Sequence, residues 1–269
     1  EHRERYRESF ELVLKAWQSR ENFAYNGHYF QLAHVNLWPR PIQQPHPPVW
    51  VPGSGSISTF DFAVDHETCY CFLSYSGARS ARTMMDGYWH VVAERGRDAN
   101  PYRAGFLQLV AVAESDARAE QQYARHVEYF YHKCLHVPGV WFSPPGNQDY
   151  RSLVTSMRNP VRRAQNPKDL RYRDFVEQGY VIAGSPATVR DRLREEVIKG
   201  LRVGNLMVLL HIGSMGHELT LENMELFARE VLPQLRDTWD DEGWVNHWWP
   251  ERLRDARPAP VAAGVAGGA

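Results

Sequence analysis

A chain of 269 residues with 43% hydrophobic and 12% aromatic residues can bury one large core or form two domains. Its 31 basic and 32 acidic residues leave a formal net charge of −1, which provides no long-range field for nucleic acid or an anionic membrane. Three cysteines, two of them one residue apart, exclude a disulfide framework and suit a reducing compartment, hence the cytoplasm.

The chain opens at Glu1, already inside a helical pattern, and EHRERYRESF is charged throughout, unlike a signal peptide. A piece of a longer protein would read this way. Tyr6, Phe10, Val13, Leu14 and Trp17 recur at helical spacing and predict an amphipathic helix over 3–18. Asn26-Gly27 between alternating aromatic flanks predicts a hairpin closed by a type I′ turn. Six prolines between Pro39 and Pro52 make 39–48 an extended connector that enters a strand at 49–52.

From there strand and helix patterns alternate. A helix is expected at 57–65, a buried strand at 69–74 (CYCFLS), a helix at 78–96 and a strand at 105–113. Ser115 then caps a long helix to about Leu135. Residues 137–170, rich in Pro, Asn, Gly and Arg, have the length of a lid or binding loop. A helix near 170–178 leads into the strand YVIAG. Ser185-Pro186 then starts a helix to about Lys199 with Val189, Leu193 and Val197 in line. NLMVLL at 205–210 is a buried strand, and Thr220 is expected to cap a final helix at 221–236. No apolar run reaches the ~20 residues of a membrane span. Residues 1–250 therefore form the folded domain, and the low-complexity end 251–269 is expected to be disordered.

Near-continuous apolar strands alternating with helices indicate a parallel sheet covered by helices. About five βα units suit either an open sheet or a (β/α)8 barrel lacking its first strands. The second case would leave open strand edges prone to aggregation.

The stretch VWVPGSGSISTF concentrates the chemistry. In α/β folds ligands sit beyond the carboxyl ends of the strands, where the turn Gly53, Ser54, Gly55, Ser56 lies. Glycines let backbone approach a ligand, the serines add hydroxyls, and the next helix offers N–H groups and a positive dipole end, which together make a phosphate cradle. The same residues equally suit a tight βα turn with a serine N-cap and no ligand. Ser58 stands where a dinucleotide fingerprint needs its third glycine, no acid follows at Phe72 to Tyr75, and no Gly-Lys-Ser/Thr is present. A monophosphate fits this turn better than a triphosphate with magnesium.

The remaining candidates each have a plainer reading beside the functional one. His132 and His136 have ligand-like spacing but no following Glu, and with His126 they suit a polar helix face, so no metal is expected. His211 ends the 205–210 strand, a working position in barrel enzymes, yet a histidine satisfying a strand-end carbonyl explains it as well. His217-Glu218 reads as loop polarity, and Cys69 and Cys71, on one strand face, read as core packing. No residue is assigned as catalytic.

FAYNGHYF followed by LWPRPIQQPHPPVWVPGSGS, preceded by RYRESFELVLKAW, resembles the bacterial luciferase-like, flavin-dependent monooxygenase family. AGSPATVRDRL and HIGSMGHELTLENMELFAREVLPQLR are similar to that family's later segments. The resemblance implies a luciferase-like (β/α)8 TIM barrel apparently lacking its N-terminal strands, with a flavin phosphate at Gly53, Ser54, Gly55 and Ser56. It also implies reduced FMN delivered by a separate flavin reductase, O2 and an organic substrate as reactants, and a homodimer. The usual catalytic histidine lies in segments this sequence lacks. Trp38, Trp141 and Phe142 could line a dry pocket, though each suits a core as well. The alternatives are a deazaflavin (F420) hydride-transfer enzyme of the same superfamily and a catalytically silent flavin-binding partner subunit.

Overall fold

The computed structural model describes residues 1–73, 75–135, 150, 154 and 167–246. The described residues divide into two compact units, residues 1–49 and residues 50–246.

In the first unit, helix α1 (His2–Gln18) precedes an antiparallel hairpin of β1 (Phe23–Asn26) and β2 (Gln31–Val35). The hairpin is where the sequence placed it, but its turn is not type I′. Asn26 pairs with Gln31, so four residues bridge the strands, and Gly27 N donates to the Phe30 carbonyl at 2.8 Å. The organiser is Glu8 of α1, whose carboxylate accepts from the amides of His28, Tyr29 and Phe30 at 2.8–3.0 Å. Burial alone would push the Glu8 carboxyl up, but these three bonds bring it below its usual value.

The second unit is a parallel sheet covered by helices. Its strands are β3 (Trp50–Gly53), β4 (Cys69–Phe72), β5 (Ala104–Val112), β6 (Val181–Gly184) and β7 (Asn205–Leu209). Helices α2 (Ile57–Asp65), α3 (Gly77–Glu94), α4 (Asp116–Tyr129), α5 (Tyr172–Glu177), α6 (Pro186–Arg192) and α7 (His217–Leu226) lie between or after them. Helices α4, α6 and α7 each continue into a wider π turn, ending at Cys134, Lys199 and Val231.

Alternation along β5 sets the layers. Ala104, Phe106, Val110 and Val112 join Phe60, Met85, Tyr88, Leu193 and Phe227 in one core, while Leu109 and Ala111 join Tyr123, Val127 and Phe175 in another. Burial on both faces explains why β4, β5 and β6 read as continuous apolar runs, whereas β7, expected to be buried, is only half-buried from Leu206 to Leu209, and Pro52 of β3 is exposed.

Strand β5 is also the hub of the sheet. Leu109 pairs with both Val181 and Leu209, so β6 and β7 lie on opposite edges; Phe106 pairs with both Phe72 and Leu206, which places β4 opposite β7 as well. Strands β4 and β6 therefore share one edge end to end, and the seams need other hydrogen-bond partners. Buried amides supply them. Gln108 Nε2 reaches the carbonyls of Leu109, Gly179 and Tyr180 at 3.1–3.3 Å. Asn205 Nδ2 donates to the Tyr102 and Ala104 carbonyls at 2.9 and 3.4 Å.

Asn223 on α7 closes the end of the β7 edge. It accepts from Val112 N at 2.7 Å and donates to the Val110 and Leu210 carbonyls at 3.0 and 2.8 Å. Thr220 is not the cap of that helix. Gly216 is the N-cap, and Thr220 sits in the first turn with its hydroxyl donating to the Gly216 carbonyl. Ser115 and Ser185, by contrast, do cap their helices, accepting from Arg118 N and Thr188 N.

Candidate functional site

The Gly/Ser turn leaves the carboxyl end of β3 and enters α2, and the connection follows from two glycines and what surrounds them. Gly55 has φ +97°, a region that a side chain makes costly. A Cβ there would also lie 2.6 Å from Met84 Sδ. A Cβ on Gly53 would lie 2.8 Å from Tyr70 Cε2 and 3.1 Å from its hydroxyl oxygen. Tyr70, fully buried on β4, accepts a hydrogen bond from Gly55 N at 3.2 Å. Burial raises the Tyr70 phenol well above its usual range, so it stays protonated. Ser56 is the N-cap of α2 by position, but its hydroxyl makes no cap bond and pairs with Ser58 Oγ at 2.9 Å. Ser54 is exposed at the tip.

The second Gly-Ser turn, Gly184-Ser185, has the same parts but is filled from within. Asp116 Oδ1 accepts from Ser185 N at 2.7 Å, and Oδ2 accepts from Thr188 Oγ1 at 3.2 Å. A Cβ on Gly184 would fall 2.5 Å from that carboxylate. The bond from Ser185 N, more than any other contact, holds the Asp116 carboxyl below its usual value. A protein anion thus occupies the position at the helix N-terminus that a ligand anion would take. Among the described residues, the contacts that Tyr70, Met84 and Ser58 make with the 53–56 turn come from uncharged groups.

The histidines resolve individually. His126 does not lie on a polar face: it is 3% exposed, with Nδ1 2.9 Å from Ser214 Oγ and Nε2 accepting from Arg125 Nε at 3.0 Å. Burial first, then the Arg125 charge, holds it below the usual histidine value. His132 Nε2 is 2.9 Å from the Leu170 carbonyl. His211 is exposed, and its Nε2 lies 3.0 Å from the Met215 carbonyl, which belongs to the loop before α7 and not to the end of a strand. Among the described residues no three His, Cys, Asp or Glu side chains converge as a metal site.

Cys69 and Cys71 are buried with sulfurs 3.9 Å apart, and Asn205 Nδ2 donates to Cys69 Sγ at 3.4 Å. Burial pushes the Cys69 thiol up, away from thiolate chemistry. Trp38 is 70% exposed beneath Arg40, and His136, Trp141, Phe142 and most of 137–170 lie outside the described residues.

Sequence reasoning missed Tyr70, Met84 and Asp116. Tyr70 carried a faint signal, since alternation in CYCF sets it opposite the cysteines. Met84 and Asp116 act through contacts between elements that no local pattern records.

A glycine-shaped turn that leaves a parallel strand and opens a helix, in a sheet whose strands alternate with helices, defines an α/β architecture. The chain matches the family of luciferase-like monooxygenases over residues 1–202, well over half its length, and belongs to that family. Over 237 residues it is 26% identical to the flavin-dependent trigonelline monooxygenase, oxygenase component, of Acinetobacter baylyi, covering 87% of this chain and 61% of that protein.

It is also similar to the FMN complex of the oxygenating constituent of 3,6-diketocamphane monooxygenase from Pseudomonas putida, with a TM-score of 0.57 and 18% identity over 85% of this chain and 62% of that one. A further likeness is to the coenzyme F420-dependent tetrahydromethanopterin reductase of Methanopyrus kandleri, with a TM-score of 0.55 and 16% identity over 86% of this chain and 62% of that one. These structural likenesses establish a fold of luciferase-like barrel type, of which the described residues supply five parallel strands. The chain spans about three fifths of the length of the relatives it matches. Among the described residues no helix is long and apolar enough to cross a membrane.

Proposed function

We propose that the protein acts as an FMN-dependent monooxygenase whose flavin phosphate is held at Gly53, Ser54, Gly55 and Ser56. The observation that carries this is the contrast between the two Gly-Ser turns. One is closed by the protein's own carboxylate, while the other, at the end of β3, is preset by uncharged groups with an exposed serine at its tip. Family membership and a relative at 26% identity that is a flavin-dependent monooxygenase support the same reading.

Bound reduced FMN would supply the electrons and O2 activation for inserting one oxygen atom into an organic substrate. The part of this chain would be to anchor the phosphate through the turn and the first amides of α2, fixing the position of the ring system. That the relative is an oxygenase component supports a separate flavin reductase as electron source. A homodimer belongs to the same reading and is checked by sedimentation. F420 is the weaker reading: the FMN-bound and F420-dependent neighbours are alike in fold alone, and the flavin-dependent monooxygenase relative at 26% identity favours a flavin.

Ser54→Ala and Ser56→Ala should each weaken FMN binding by about 1.5–3 kcal/mol, the usual contribution of a hydrogen bond to a charged group. Flavin-fluorescence titration reads this. Unchanged affinity in both variants would make the turn a plain connection, and tight F420 binding with negligible FMN binding would reassign the cofactor.

A further inference from the structure

We infer that Tyr70 is a positioning residue that gives the 53–56 turn its selectivity for a phosphorylated flavin. The inference rests on the phosphate reading of that turn and extends it to a residue on a neighbouring strand.

Tyr70 lies directly beneath the turn because β4 pairs in parallel with β3, setting Tyr70 against Val51, two residues before Gly53. Its ring is locked by Phe60, edge-on at 5.1 Å, and by Tyr88, stacked at 4.9 Å, whose own hydroxyl donates to the Arg103 carbonyl at 3.1 Å. The phenol is therefore held from below, and it acts on the turn at two points. It fills the space where a Cβ on Gly53 would lie, and its oxygen takes the Gly55 N–H.

The second contact has a directional consequence. An amide committed to Tyr70 points down into the sheet, away from the turn's outer surface. With Gly55 at φ +97° against Met84, the backbone reversal is fixed before any ligand arrives. A preset turn binds without first losing conformational entropy, and the gain falls on the group the turn contacts. That group is the phosphate, so the effect of Tyr70 should appear in the preference for FMN over riboflavin, which lacks the phosphate, and not in affinity for the ring system.

The experiment compares the dissociation constants of FMN and riboflavin, by flavin-fluorescence titration, for the protein and its Tyr70→Phe, Gly53→Ala, Ser54→Ala and Ser56→Ala variants. Tyr70→Phe keeps the ring and removes only the acceptor. It should weaken FMN roughly three- to tenfold, the range of one neutral hydrogen bond, and leave riboflavin unchanged. Gly53→Ala, which pushes on the same ring from above, should lower the same ratio and provides the test if Tyr70→Phe does not fold.

Equal losses for both flavins would reduce Tyr70 to ordinary core packing and overturn the inference. Tighter FMN binding in Tyr70→Phe would overturn it too, because the phenol would then compete with the phosphate for the Gly55 N–H. If the serine variants lower the FMN preference and the Tyr70 and Gly53 variants do not, the phosphate reading stands and the role of Tyr70 falls. If the unaltered protein shows no preference for FMN, the phosphate reading itself fails and takes the inference with it.

Discussion

Replacing Asn223 by alanine should be among the most destabilising single changes in the 50–246 unit. The ladder between β5 and β7 ends at Leu109–Leu209, so the next backbone groups on that edge have no strand to bond. Asn223, fully buried, stands in for the missing strand with three bonds of 2.7–3.0 Å to Val112 N and the Val110 and Leu210 carbonyls. Alanine would strand all three groups. At about 1–3 kcal/mol for each buried group left unpaired, and allowing for partial relaxation, the loss should be about 3–6 kcal/mol. That is a large share of the roughly 5–15 kcal/mol that holds a typical domain together.

Urea denaturation of the protein and the variant, followed by circular dichroism, measures the difference. Asn223→Leu separates the causes: it restores volume but no bonds, so it should be nearly as damaging. Asn223→Asp keeps one acceptor and faces two carbonyl oxygens, which raises its folded pKa. Its penalty should therefore shrink as pH falls toward 4 and grow as pH rises. A loss below about 1 kcal/mol in Asn223→Ala would refute the view that this side chain completes the sheet edge.

Gly55→Ala forces a side chain into the left-handed region and against Met84, and should cost about 1–2 kcal/mol on thermal or urea unfolding. Wild-type stability in that variant would mean the turn relaxes freely. Glu8 should tie the hairpin in a pH-dependent way: its folded pKa is depressed, so its contribution is present above the ordinary glutamate value and lost as pH falls through the lower folded one. The protection of the His28, Tyr29 and Phe30 amides, measured as exchange relative to the intrinsic rate at each pH, should fall on acidification, and at neutral pH in Glu8→Gln; indifference to both would remove Glu8 as organiser.

Most elements were legible because their signals are local. Helix α2 occupies 57–65 as its apolar spacing requires, and Ser115 and Ser185 cap their helices because a hydroxyl before an amphipathic run has few other uses. Parallel pairing followed from burial of both faces of short apolar strands. The departures share one cause. The turn at 27–30 answers to a carboxylate 20 or more residues earlier in the chain, and α7 starts at His217 irrespective of Thr220.

The same division runs through the candidate site. Sequence alone determined the family resemblance, the order of strands and helices, and the position of the Gly/Ser turn at a strand's carboxyl end, since proline, glycine and apolar period act over a few residues. It left open whether Gly53 to Ser56 held a ligand or merely turned the chain, because both uses require the same residues. Tertiary structure showed that Asp116 fills the sister turn, that Tyr70 and Met84 preset this one, and that buried amides seal the seams around β5. Apart from Gln108 to Leu109 and Asn223 to Leu210, these are contacts across 15 to 113 residues of chain, and only folding brings such groups together.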